Sequence, residues 1–167
     1  MKILNLVHEN FEDIELWYPT IRMKEEGAEV HLAGLQKDEV YKGKHGVPAK
    51  VDVSFDSVNI DDYGGLLIPG GWAPDKLRRI DKVLQIVKEF DDKKKPIGII
   101  CHAGWVPISA GIMKDRKATS VSAIKDDLIN AGTEWVDEPV VVNDNLVSSR
   151  TPADIHIYMV EYIKKLK

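Results

Sequence analysis

A chain of 167 residues, 44% hydrophobic and 30% charged, has the size and composition of one ordinary globular domain, which excludes disordered, collagen-like and disulfide-rich scaffolds. The net charge of −4, with basic runs only at Lys93-Lys94-Lys95 and Lys164-Lys165, excludes a dedicated nucleic-acid binder, which carries a basic face or stripe. No apolar run reaches the roughly 18–20 residues of a bilayer span, and the single cysteine, Cys101, permits no internal disulfide.

Residues 2–7 are a short apolar run that reads as a buried strand. The run is too short for a signal peptide and has no small-residue cleavage site, so a cytoplasmic location is expected. Residues 12–26 follow, with Ile14, Trp17, Ile21 and Met23 at near-helical spacing and Gly27 as the stop. Pro19 inside that stretch predicts a kink or a restart. Residues 29–33 read as a second strand, and the alternating stretch 37–53, with Gly43 and Gly46, as a hairpin-like excursion.

The strand at 65–68 ends in Pro69-Gly70-Gly71, and 75–90 reads as one helix with Leu77, Ile80, Leu84 and Val87 inward. Pro96 introduces a strand at 97–100, and Cys101-His102-Ala103-Gly104 leads into a helix through about Ala110. Then come a short strand at 118–120, a helix at 124–131 stopped by Gly132, strands at 140–142 and 146–149, and a closing helix at 153–166 behind Pro152. Strands alternating with helices predict an α/β sandwich around a mainly parallel sheet, in a single domain spanning 1–167.

In such sheets ligands gather beyond the carboxyl ends of the strands. That rule selects residues 8–13, 69–75 and 101–105. Cys101 lies where a strand meets a helix N-terminus, whose unpaired N–H groups lower a thiol's pKa. The turn resembles the nucleophile elbow of α/β-hydrolases, although Ala103 stands where the second glycine of that pattern would be. The alternative is a small buried hydrophobe.

His102 is a candidate acid or base, or a helix-start histidine. Glu12, half-buried near a thiolate, would have a raised pKa and donate to sulfur; the alternative is a first-turn acid favouring the helix N-terminus, which is how Asp13 and Glu15 read. Gly70 and Gly71 form a candidate oxyanion cradle, and Trp72 and Trp105 flank the loops as candidate pocket walls. His8, His31, His45, His102 and His156 are dispersed, so no metal set is expected. With no Walker A and no G-x-G-x-x-G sequence, no nucleotide cofactor is expected either.

These residues carry a resemblance to the PfpI/ThiJ superfamily, and closely to its PfpI protease-like branch. The matching stretches run in order along the chain. They are 11–16 (Phe-Glu-Asp-Ile-Glu-Leu), 43–46 (Gly-Lys-His-Gly), 68–71 (Ile-Pro-Gly-Gly), 100–102 (Ile-Cys-His), 124–132 and 147–154. The resemblance implies a flavodoxin-like three-layer sandwich with Cys101 as nucleophile on a strained elbow. It implies Glu12 as carboxyl partner of the sulfur and amides around Gly71 and His102 as oxyanion donors.

In the protease-like branch the histidine pairs with an acid of a neighbouring subunit. That acid aligns here with Asp75, so self-association as a dimer or hexamer is implied. Relatives are peptidases, cofactor-free glyoxalases, deglycases of glycated proteins, or redox and chaperone-like stress proteins. The chain departs from them at Ala103-Gly104, usually Gly-Pro, at Asp75, usually Glu, and at Val121, often Tyr. The resulting expectation is a cofactor-free cysteine enzyme acting on small carbonyl compounds, glycated proteins or peptides. The alternative is a stress protein whose Cys101 is oxidised instead of turning over substrate; a flavin carrier on the same fold would need a phosphate-binding loop, and none is present.

Overall fold

A computed structural model describes residues 1–167. The first strand, β1 (Lys2–Leu6), leads through a short loop into α1 (Asp13–Glu25), and β2 (Glu29–Gly34) returns beside β1 in parallel register. The excursion predicted next is a small antiparallel hairpin, β3 (Val40–Lys42) and β4 (Pro48–Lys50), outside the main sheet. The chain re-enters the sheet at β5 (Val53–Ser54) and crosses to β6 (Gly65–Ile68). It then runs through α2 (Ala73–Leu77), α3 (Asp81–Asp92), β7 (Ile97–Ile100) and α4 (Trp105–Ser109). The last third comprises β8 (Lys117–Ala118), α5 (Lys125–Asn130), β9 (Glu134–Trp135), β10 (Val140–Asn143), β11 (Leu146–Ser149) and α6 (Ile155–Leu166).

Seven strands form one sheet in the order β10-β11-β7-β6-β1-β2-β5, parallel throughout except for the β10–β11 pair. The strands read as unbroken apolar runs because both faces are covered: every residue of β6 and β7 is buried. Alternate side chains serve opposite layers. Leu66, Ile68, Ile97 and Ile99 meet Val83, Ile86, Val87 and Phe90 of α3. Leu67, Ile100 and Val147 meet Met23 of α1 and Tyr158, Met159, Tyr162 and Ile163 of α6. The result is the three-layer, flavodoxin-like α/β architecture. Its strand order reverses between β1 and β6, the place where such folds open a crevice for ligand.

Three local readings change. Pro19 neither breaks nor restarts α1, which is one helix. The carbonyl of Leu16, in the turn that the proline weakens, accepts from the Thr20 hydroxyl at 2.7 Å and from Asn5 Nδ2 at 3.3 Å. The single helix predicted over 75–90 is two, because Ile80 is extended and restarts the chain as α3. Side chains hold that break: Arg78 Nε donates to Ser109 Oγ of α4, and Arg79 reaches back to Asp75. The strand predicted at 118–120 is β8, which ends at Ala118 and pairs with β9 apart from the main sheet.

Candidate active site

The carboxyl ends of β1, β6 and β7 bring three loops together. Cys101 follows β7 directly and has φ = 61°, a left-handed conformation costly for a side chain with a Cβ. The chain then turns through a 3₁₀ segment, Cys101–Gly104, into α4. The strained turn lifts Sγ out of the strand and aims it at the backbone N–H groups of His102 and Gly71. Gly71 has φ = 75°, and a Cβ there would run into the backbone of Asn10, Phe11 and Glu12. Only glycine lets the β6 loop approach the β1 loop this closely. Trp72 N donates to Asn10 O at 2.8 Å and Glu12 N to Gly70 O at 3.2 Å, tying the two loops.

The carboxyl against the sulfur belongs to Glu15, and this corrects the reading that gave Glu12 that place. Glu12 caps α1: its Oε2 accepts from Glu15 N at 2.9 Å, and its Oε1 lies 3.8 Å from His45 Nε2. With Glu12 committed to the cap, Glu15 turns inward, 1% exposed, and reaches Cys101. Its Oε2 accepts from Gly70 N at 2.8 Å, while its buried Oε1 has no partner. Gly70 therefore gives its N–H to Glu15 and leaves Gly71 and His102 as the amides facing the sulfur, so the cradle assigned to both glycines rests on one of them. Burial and the nearby charge of Glu12 push the Glu15 carboxyl up to about 8.

The thiol also departs from the lowered pKa expected at a helix start. Burial and the charge of ionised Glu15 push Cys101 up to about 12, against the pull of the His102 and Gly71 amides. One of those two causes is conditional. Below about pH 8 Glu15 is protonated, its charge is gone, and its O–H can donate to sulfur, which favours the thiolate.

His102 Nδ1 lies 3.3 Å from Cys101 Sγ. Its ring sits between Trp72 (centroids 5.5 Å apart) and Trp105 (5.1 Å). Burial and Lys44 lower its pKa, so the ring is held neutral. Trp105 is fixed from behind, its Nε1 donating to Asp127 Oδ2 at 2.8 Å and Arg78 covering its other side. Trp105 thus supports His102 and does not line the pocket, whereas Trp72 does. Asp75 lies on α2, exposed, paired with Arg79 Nη2 at 2.8 Å, and within one chain it does not meet His102. The pocket itself is about 90 Å³ and is lined by Glu12, Glu15, Lys44, Gly71, Trp72, Cys101, His102 and Pro152. Glu15, Lys44 and Pro152 were not singled out from sequence as site residues.

A cysteine on a left-handed strand-to-helix elbow, with amides and a buried carboxyl around its sulfur, places the chain among α/β proteins that carry a sharp elbow at the carboxyl edge of a parallel sheet. Within that class the chain belongs to the DJ-1/PfpI family, whose sequence pattern it matches over residues 1–165. It is 49% identical over 167 residues to "Deglycase PfpI" of Pyrococcus furiosus, covering all of both chains. It is 43% identical over 159 residues to "General stress protein 18" of Bacillus subtilis, covering 94% of this chain and 92% of that one. Among solved structures, it superposes with a TM-score of 0.97 and 33% identity on a two-domain protein of Anabaena variabilis, with DJ-1/ThiJ/PfpI-like and ferritin-like domains. It covers 99% of this chain and spans half the length of that one.

Proposed function

We propose that this chain is a cysteine-dependent enzyme of the glyoxalase or deglycase type, acting through Cys101 on short carbonyl compounds and on their adducts with protein side chains. The observation that carries this reading is the sulfur's surroundings: two backbone amides on one side and the raised carboxyl of Glu15 on the other. For a 2-oxoaldehyde such as methylglyoxal, the thiolate adds to the aldehyde carbon. The oxygen charge that develops falls to the Gly71 and His102 amides, and Glu15 supplies the proton. Neutral His102 moves the C1 proton to C2, giving a lactate thioester that water hydrolyses back to thiol and lactate. No cofactor takes part, and atoms balance as methylglyoxal plus water giving lactate.

The pocket of about 90 Å³ suits a carbonyl of two or three carbons better than a peptide side chain, so peptidase activity ranks below the carbonyl reaction. A relative named a general stress protein supports a second reading, oxidation of Cys101 in place of turnover. The measurement that separates them is lactate formation from methylglyoxal by wild type and Cys101→Ala. Repeated turnover abolished in the variant is the expected result. A wild type that gains oxygen on Cys101 and forms no lactate would overturn the enzyme reading.

The reading includes a single domain in a cytoplasmic setting and self-association. Ile14, Ile21 and Val47 are each more than 40% exposed and share an apolar face with Trp17 and Tyr18 beside the site. That face is a surface for a second copy to cover. Asp75 would then exchange Arg79 for His102 of the neighbouring copy.

A further inference from the structure

The hairpin β3–β4 takes no part in the main sheet, yet its tip is built with care. Asp13, 6% exposed, accepts from His45 N and Val47 N at 2.9 Å each. Lys44 N donates to Phe11 O at 2.9 Å and Asn10 N to Lys42 O at 2.8 Å. A Cβ on Gly43 would run into the Asp13 carboxylate, so the tip is pressed against the start of α1. The clamp leaves one hairpin side chain lining the pocket, and it is Lys44. Lys44 forms no salt bridge and, with His102 neutral, is the sole cation among the pocket's lining residues, facing the carboxyl groups of Glu12 and Glu15 and the Cys101 sulfur.

We propose that Lys44, delivered by the Asp13-clamped hairpin, makes the pocket selective for carbonyl compounds bearing a carboxylate on, or one carbon from, the electrophilic carbon. The proposal rests on the reading of Cys101 as nucleophile and adds to it the charge of the substrate. A neutral 2-oxoaldehyde needs no cation. A substrate carboxylate does, because Glu12 repels it and Lys44 is the one lining cation that can offset that repulsion. Glyoxylate is the simplest such compound. Sulfur adds to its aldehyde carbon, an S–C bond forms as the C=O π bond breaks, and the proton passes to the new oxygen. The adduct is a hemithioacetal whose carboxylate lies against Lys44.

The experiment compares alkylation of Cys101 by iodoacetate and by iodoacetamide, which differ in charge but little in size. In both, sulfur displaces iodide, which leaves with the C–I electron pair. The ratio of the two rate constants is divided by the same ratio for 2-mercaptoethanol. It should exceed one in wild type, fall roughly fivefold in Lys44→Met, the upper range for an exposed ion pair, and hold in Lys44→Arg. Glyoxylate should slow iodoacetamide alkylation in wild type and much less in Lys44→Met. A wild-type ratio of one or below, or one that Lys44→Met leaves unchanged, overturns the proposal while leaving the nucleophile intact. A folded protein that neither reagent alkylates at Cys101 overturns the nucleophile and this proposal together.

Discussion

Glu15 sits where a carboxylate is poorly solvated, and two consequences follow from its proton. Above about pH 8 its charge works against the thiolate; below it, the carboxyl donates. Glu15→Gln keeps a donor and cannot ionise, so its Cys101 should alkylate about tenfold faster than wild type at pH 9, the effect of removing one close like charge. Identical pH–rate profiles would refute this. The second consequence is on stability. The unfolded chain loses this proton near 4.5 and the folded chain near 8, so between those values the unfolded state binds fewer protons and stability falls as pH rises. The loss should be on the order of a few kcal/mol across the window, and Glu15→Gln should flatten it in denaturant melts at pH 5 and pH 8.

The choice between Glu12 and Glu15 was not legible because it turns on where α1 starts. An N-cap side chain bends back onto the helix's own N–H groups, and a residue three further on faces the core. The clue present in the sequence was that Glu15 lies four residues before Pro19 and eight before Met23, both buried. By contrast, Cys101 was legible because a strand end followed at once by a helix leaves little freedom for the residue between them.

Elements contribute through what their ends hold. Asp13 spends its carboxylate on two amides of the hairpin tip. Asp13→Ala should cost about 1–3 kcal/mol for the amides left unmet, and should weaken the iodoacetate preference as Lys44→Met does. Asp13→Asn, with one acceptor oxygen, should fall between; normal preference in Asp13→Ala would disconnect the clamp from the pocket. At the opposite end of the sheet, Arg116 joins Asp91 of α3 to Asn145 of the β10–β11 turn, with both charged side chains largely buried. Arg116→Ala should destabilise by about 3–5 kcal/mol, the cost of stranding a buried charge, without changing Cys101 reactivity. Denaturant midpoints and alkylation rates test the two halves of that statement separately. The long strands were legible because their apolar runs are unbroken, and the long helices because their apolar residues recur at helical spacing. The break at Ile80, the two-residue strands β5 and β9, and the true bounds of β8 were not, since they answer to distant partners and carry no period of their own.

For the whole molecule, the apolar face around Ile14, Ile21 and Val47 sets the test of assembly. Ile14→Glu with Ile21→Glu should lower the sedimentation mass by at least half while leaving far-UV circular dichroism unchanged; an unchanged mass would place any assembly elsewhere. Mixing Cys101→Ala with Asp75→Ala chains should restore part of the activity if Asp75 serves a neighbour's His102. Full activity in Asp75→Ala alone would exclude that role.

The strained turn at Cys101 also bears on the life of the chain before it is folded. Its sulfur depends on Glu15 and Gly71, which are made earlier on the ribosome, but β7 gains its outer parallel partner, β11, only when residues 146–149 emerge. A nascent or misfolded chain therefore carries an ordinary, unassisted thiol. In the finished fold the same sulfur is buried and its ionisation held back, so completing the sheet replaces a freely ionising thiol with one whose behaviour is set by Glu15 and the two amides.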